Sequence, residues 1–171
     1  MINHTLVPLI NQFLTKRDKV SRENVGYEQA NNIGILYSHP DQRKSSAILE
    51  LMGKINQDDK NTSSICLLDS KTFKESPTEN CFGEHEIKLF GDWANPIVSK
   101  FYQRKFDYIL HLDSTVSPLT ENILLKSLAL CRIGLYNESH SHLFEMMIKT
   151  ADNDDLSFQM MEIYRYLKQL R

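Results

Sequence analysis

Polar side chains that could bind a ligand or transfer a proton follow several apolar segments of this chain. Asp113 and Ser114 follow one such segment, His39 follows another, and Trp93 and Asn137 follow two more. Aspartate accepts hydrogen bonds and histidine titrates near neutral pH, so the set could support acid–base chemistry or recognition of a polar ligand. The same residue types also cap helices and close turns, which is the simpler explanation of each residue alone.

These residues come together if the apolar segments are parallel strands of one sheet. In open α/β sheets, ligands bind outside the carboxyl ends of the strands, beside the point where the chain order reverses. We therefore predict a small-molecule site between His39 and Asp113, with Ser114 beside it and Trp93 or Asn137 at its rim. Asp113 would accept hydrogen bonds from the ligand, and His39 would supply the titratable group.

The segment 106–136 predicts the arrangement that such a site needs. Residues 108–112 are an almost continuous apolar run, which is typical of a strand buried on both faces. Ser117 and Pro118 suit the cap and the first position of a following helix. Residues 132–136 form a second strand, and the helix between the two strands implies that they run parallel.

Hydrophobic periodicity extends this pattern along the chain. The predicted strands are 32–38, 64–68, 86–90, 107–112, 132–136 and 143–149. The predicted helices are 5–19, 41–57, one after Asn95-Pro96, one after Ser117-Pro118 and one from Leu156 onward. This order predicts a doubly wound, mostly parallel α/β sheet of the Rossmann or flavodoxin type. The connection 137–142 is too short for a parallel crossover, so we predict that the last strand is an antiparallel edge.

The length of 171 residues suits one domain. We expect residues 1–31 to form an N-terminal helix and connector, and residues 32–171 to form a single α/β domain. The first helix could lie on a membrane surface, but its apolar face is short, which favours a helix packed on the domain.

Composition narrows the class of protein. Hydrophobic residues make up 41% and charged residues 25%, with a formal net charge of −2, so we expect a globular chain without nucleic-acid or membrane partners. The N-terminus lacks the layout of a signal peptide. Three cysteines without a Cys-x-x-Cys pattern indicate reduced thiols in a cytoplasmic protein.

Motifs for cofactors and metals are absent from the sequence. The six glycines form neither of the phosphate-binding patterns of nucleotide enzymes, and we expect no cofactor. His140 and His142 could point the same way in an extended segment, but zinc needs further ligands. A polar connector is the simpler interpretation, so we predict no metal site.

Two residues within the predicted strands carry structural expectations. His111 lies between two leucines, where a buried and hydrogen-bonded imidazole is the ordinary explanation. Gly134 interrupts an apolar strand, and glycine in that position often marks the close approach of another group.

Several segments together resemble a family of small bacterial proteins known only as a domain of unknown function. They are residues 32–38, 105–110, 125–129, 132–135 and 166–167. The resemblance covers nearly the whole chain and implies a compact α/β protein without an assigned activity. Residues 106–112, 126–127 and 132–135 are also similar to the N-terminal half of heptosyltransferase-like glycosyltransferases. In those enzymes a second domain binds the sugar nucleotide, so this likeness implies a shared fold and no activity.

The sequence therefore favours a bacterial, cytoplasmic protein that binds a small polar ligand or a protein partner without strong catalysis. One alternative is a small transferase or hydrolase that works at the strand ends with Asp113 and His39. Another is a subunit of a larger assembly, joined through its edge strand or the loop 69–84.

Overall fold

The computed structural model describes residues 6–38, 41–68, 80–151 and 155–171. The helices are α1 (Leu6–Arg17), α2 (Gln42–Gln57), α3 (Pro96–Gln103), α4 (Pro118–Lys126) and α5 (Leu156–Leu167). The strands are β1 (Asn32–Ser38), β2 (Asn61–Leu68), β3 (Cys81–Gly83), β4 (Tyr108–His111), β5 (Cys131–Leu135) and β6 (Met146–Ile148). Two 3₁₀ helices cover Glu84–Glu86 and Glu138–Leu143. Within these residues, no helix combines the length and the apolar character needed to cross a membrane.

The described strands form one sheet in the order β3-β2-β1-β4-β5-β6. Every neighbouring pair is parallel. The chain builds outward from β1 to β3 in one direction and from β4 to β6 in the other, so its order reverses between β1 and β4. The prediction of a doubly wound fold with four central parallel strands is confirmed.

Both faces of the sheet are covered, and β4 shows how. Tyr108 and Leu110 pack with α2 and α5 on one face. Ile109 packs with α1, α3 and α4 on the other face. Alternate side chains of a strand point to opposite faces, so a strand between two helical layers needs apolar residues at every position. This requirement explains the continuous apolar run seen in the sequence.

The prediction of an antiparallel edge is wrong, because β6 pairs with β5 in parallel. The strand begins at Met146 rather than 143, and Glu138–Leu143 coils into a 3₁₀ helix. The connection therefore spans 136–145. It runs from the end of β5 to the start of β6, and this distance is small because both strands are short. That path is short enough for a compact crossover.

The predicted strand at 86–90 is also wrong, because the edge strand is β3, five positions earlier in the chain. The carboxylate of Glu86 accepts a hydrogen bond from the Gly83 backbone N–H at 2.7 Å and closes a 3₁₀ turn instead. Gly91 has a φ of +78°, which glycine adopts without strain. The chain therefore turns where the alternation of residue types suggested extension.

Cys66 of β2 and Cys81 of β3 occupy paired positions and form a disulfide. The prediction of three reduced thiols is therefore wrong for this pair, while Cys131 is a free, buried thiol. The sequence reasoning missed the bond because it placed Cys81 in the loop 69–84, whereas the bond depends on the pairing of β3 with β2. Residues 69–79 of the predicted loop 69–84 lie outside the described residues.

The close approach expected at Gly134 is confirmed. A Cβ atom placed on Gly134 would lie 2.6 Å from the Cζ atom of Phe144, well inside the van der Waals contact distance. Phe144 is buried and packs on the face that holds α1, α3 and α4. Its ring occupies the space that a side chain at position 134 would need.

We predict that Gly134→Val lowers the free energy of unfolding by about 1–3 kcal/mol, because the added methyl groups overpack the site against Phe144. Urea denaturation measures the change. Gly53→Val is the matched control, since a Cβ atom at Gly53 meets nothing within 4 Å. Equal denaturation midpoints for Gly134→Val and wild type would show that Phe144 moves aside freely.

Candidate functional site

The carboxyl ends of β1 and β4 meet at the point where the chain order reverses. Leu36 pairs with His111 in the parallel ladder. The same register, continued by two residues, brings Ser38 and Asp113 side by side at the edge of the sheet. In doubly wound folds this position is where ligands bind.

Three side chains form a polar cluster there: Ser38, Lys44 and Asp113. The Ser38 hydroxyl donates to Asp113 Oδ2 at 2.8 Å. The Lys44 ammonium donates to Asp113 Oδ1 and, at 2.6 Å, to the Ser38 carbonyl oxygen. The carboxylate thus joins β1, β4 and α2 through charge-assisted hydrogen bonds.

The start of α2 delivers Lys44 to this cluster. Asp41 caps the helix, with its Oδ1 atom accepting from the Lys44 backbone N–H at 2.7 Å. A cation in the first helical turn lies against the positive end of the helix dipole. The Asp113 carboxylate offsets that unfavourable position, so the lysine depends on its partner.

The polar cluster keeps unused hydrogen-bonding capacity. A carboxylate offers about four lone-pair sites and an ammonium group three N–H donors. The described contacts occupy two acceptor sites of Asp113 and two donors of Lys44. The side chains are 8% and 19% exposed, so a ligand could reach both a donor and an acceptor at one point.

His111 lies directly behind the cluster, with its Nε2 atom 3.7 Å from Asp113 Oδ2. Its side chain is fully buried, and its ring packs 5.9 Å from the Phe144 ring. The prediction of a buried imidazole is confirmed. Among the described residues, its ring nitrogens make no hydrogen bond of good geometry, and their polar neighbours are the carboxylate and backbone of Asp113. Burial lowers the pKa of His111 to about 4, and the nearby Asp113 charge only partly opposes this shift.

An open cleft of about 680 Å³ lies between the first turns of α2 and α5, and Ser38, Lys44 and Asp113 are not part of its lining. Its lining is Asp41, Gln42, Arg43, Ser46, Asp155, Leu156 and Ser157. The volume suits a small metabolite. Polar side chains and one cation dominate the lining, so the cleft suits a polar ligand rather than an apolar one.

The structure brings three of the predicted site residues together. Asn137 Nδ2 donates to the Ser114 carbonyl oxygen at 2.9 Å, and Ser114 adjoins Asp113 in the chain. The loops after β4 and β5 are therefore linked beside the polar cluster. His39 lies outside the described residues, so the predicted pairing of His39 with Asp113 stays a prediction.

Trp93 occupies a different environment from these residues. Its side chain is 4% exposed and packs edge-to-face on Phe82. Its Nε1 atom donates to Asn122 Oδ1 at 3.0 Å. The indole thus connects the turn after β3 to α4. Its hydrogen bond and its burial are those of a core residue.

Sequence reasoning did not single out Lys44. Its role depends on a contact with Asp113 across 69 positions of the chain, which no local pattern reveals. One signal was available in the sequence: a lysine in the first turn of a helix opposes the helix dipole. Such a residue calls for a carboxylate partner elsewhere in the fold.

Metal ligands do not converge in the part of the chain that the structure describes. No group of three or more His, Cys, Asp or Glu side chains there could hold an ion. His140 and His142 lie in a 3₁₀ helix rather than an extended segment. The His142 Nε2 atom lies 3.9 Å from Glu121 Oε1.

We predict that the free energy of unfolding falls between pH 6.5 and pH 4, because unfolded His111 binds a proton in this window and folded His111 does not. The linkage is worth up to about 3 kcal/mol. Chemical denaturation across this range measures it, and His111→Leu should flatten the curve. His142→Gln, which changes an exposed imidazole, is the control. Parallel curves for wild type and His111→Leu would contradict the assignment.

A protein-family model matches nearly the whole chain. The model of a family described as "Family of unknown function (DUF6913)" matches residues 5–170. No curated protein and no solved structure matches the chain. The local likeness to heptosyltransferase-like enzymes thus gains no support.

Proposed function

Since the chain belongs to this family of unknown function, we propose its role from the site alone: it is a binding domain for a small polar ligand, without strong catalysis. The observation that carries the proposal is the polar cluster at the reversal point of the sheet. There Lys44 and Ser38 hold the largely buried Asp113 carboxylate at the end of β4.

The cluster suits a ligand that both donates and accepts hydrogen bonds. The remaining Lys44 N–H can donate, and the free lone pairs of Asp113 can accept. A hydroxylated or carboxylated metabolite presents both kinds of group. Because the cluster is anchored by two elements of the sheet and one helix, it is preorganised, which lowers the entropic cost of binding.

The same geometry argues against acid–base catalysis by His111, whereas the transferase or hydrolase alternative depends on Asp113 and on His39, which lies outside the described residues. An effective general base has a pKa near the working pH, whereas burial lowers the pKa of His111 to about 4. The Ser38 hydroxyl points to Asp113, whose carboxylate is already paired with Lys44.

We predict that a ligand found by a thermal-shift screen of polar metabolites on the wild-type protein loses most of its shift in Asp113→Asn and Lys44→Met. Each substitution removes a charged group that the ligand would contact. Isothermal titration should give at least about tenfold weaker binding, the loss expected for one charge-assisted hydrogen bond.

The control is Asp92→Asn, which disrupts an ion pair with Lys126 at an exposed carboxylate far from the cluster in the chain. This variant should bind like wild type. A ligand that binds all four proteins equally would place the site elsewhere. Asp113→Asn with lower stability and unchanged affinity would make the carboxylate a structural group only.

We further propose that the chain is a single-domain bacterial protein of the cytoplasm. Cytoplasmic thiols are kept reduced, whereas the structure joins Cys66 and Cys81 in a disulfide, so the redox state of this pair in intact cells tests the location. Alkylation of intact cells before lysis, followed by mass spectrometry, tests this. Labelled Cys66 and Cys81 are the expected result, and a blocked pair in an exported fraction would contradict the location.

A further inference from the structure

Helix α1 buries one face and leaves an apolar stripe on the other. Val7 and Asn11 are buried against the domain. Leu9 is 60% exposed and Phe13 54% exposed, at the spacing that places both on the outer side of the helix. The first helix therefore packs on the domain, as predicted, but only through one of its faces.

A tight turn presents two more large apolar side chains. Gly91 N–H donates to the Lys88 carbonyl oxygen at 2.9 Å, and Lys88 N–H donates to the Asp92 carbonyl oxygen at 2.6 Å. The tip between these bonds is Leu89 and Phe90. Phe90 is 82% exposed, which shows that the tip projects from the surface.

The turn lies beside α1. A Cβ atom built on Gly91 would lie 2.8 Å from Ile10 Cγ2, and Ile10 adjoins Leu9 on the helix. We call these exposed side chains the apolar face: Leu6, Leu9, Phe13, Leu89 and Phe90. Exposed apolar groups gathered from two elements usually mark an interaction surface.

The charge around the apolar face is positive. Helix α1 ends in Lys16 and Arg17 and contains no Asp or Glu. The Arg17 guanidinium lies 4.2 Å from the Phe13 ring centroid, and Lys88 flanks the turn. The nearby Asp92 carboxylate is paired with Lys126 at 2.8 Å. The expectation of no membrane partner rested on the net charge of −2. That value describes the whole chain and does not describe the local charge around the apolar face.

We propose that the apolar face binds the surface of an anionic membrane, with Phe90 and Leu89 inserted among the lipids and Lys16, Arg17 and Lys88 at the headgroups. Amphipathic elements with basic flanks bind membranes in this way. Their binding energy comes from the burial of apolar side chains and from the attraction of basic residues to anionic lipids, and this surface has both kinds of residue.

The chemistry of the face favours this occupant over two others. A second copy would pair the face with itself in a two-fold dimer and bring the like charges of Lys16, Arg17 and Lys88 together. A peptide needs a concave groove to lie in, whereas Phe90 projects. A fluid anionic surface matches both the charge and the convex shape.

Flotation with vesicles of defined composition tests the proposal. The full-length protein should float with vesicles of about 70% phosphatidylcholine and about 30% phosphatidylserine, and not with phosphatidylcholine alone. Binding should weaken when NaCl rises from about 0.05 M to about 0.5 M. Phe90→Ser should lower the partition coefficient about tenfold, and Lys88→Glu with Arg17→Glu should abolish flotation.

Leu49→Ser is the matched control, because Leu49 is 66% exposed on α2 and lies outside the apolar face. This variant should float like wild type. Circular dichroism melts of all variants should coincide with wild type, since every substitution is at the surface. No flotation by wild type, or equal flotation by Phe90→Ser, would overturn the proposal. Light scattering could instead show a concentration-dependent dimer in wild type that is absent in Phe90→Ser, and that result would assign the face to a second copy.

Discussion

The exclusion of water from both faces of the central strands is the constraint on which this structure depends. Backbone groups in a parallel ladder satisfy one another, but the side chains above and below need cover. Helices α2 and α5 supply it on one face, and α1, α3 and α4 on the other. Polar chemistry is thereby confined to the strand ends, and the side chains of Ser38 and Asp113 meet there for that reason.

A second set of polar contacts shows how α1 joins this design. Asn11 Nδ2 donates to the Pro118 carbonyl oxygen at 2.8 Å and to Glu121, and Asn122 Nδ2 donates to Asn11 Oδ1 at 3.1 Å. The two buried amides are therefore hydrogen-bonded to each other, and the Asn122 amide oxygen also accepts from the Trp93 indole N–H. Buried polar groups in a complete network specify one arrangement, since any shift leaves them unpaired. The network fixes where α1 sits, and so which of its faces stays outside.

Much of the fold could be predicted because the central strands carry a strong local signal. The run at β4 and the cap at Ser117-Pro118 each have a direct physical meaning in the sequence. The edges could not be predicted, since β3 and β6 have three residues each and so short a segment shows little periodicity. Among the candidate site residues, Asp113, Ser114 and Asn137 could be singled out because they follow strand ends, whereas the contact of Lys44 with Asp113 joins segments 69 positions apart.

The brevity of the two outer strands has a consequence for the behaviour of the chain in a crowded cell. An open sheet can recruit further strands along its unpaired backbone, which is how ordered aggregates grow. Here the described strands β3 and β6 each offer three residues as a template. Among the described residues, both borders of the sheet therefore offer little unpaired backbone on which a further strand could pair.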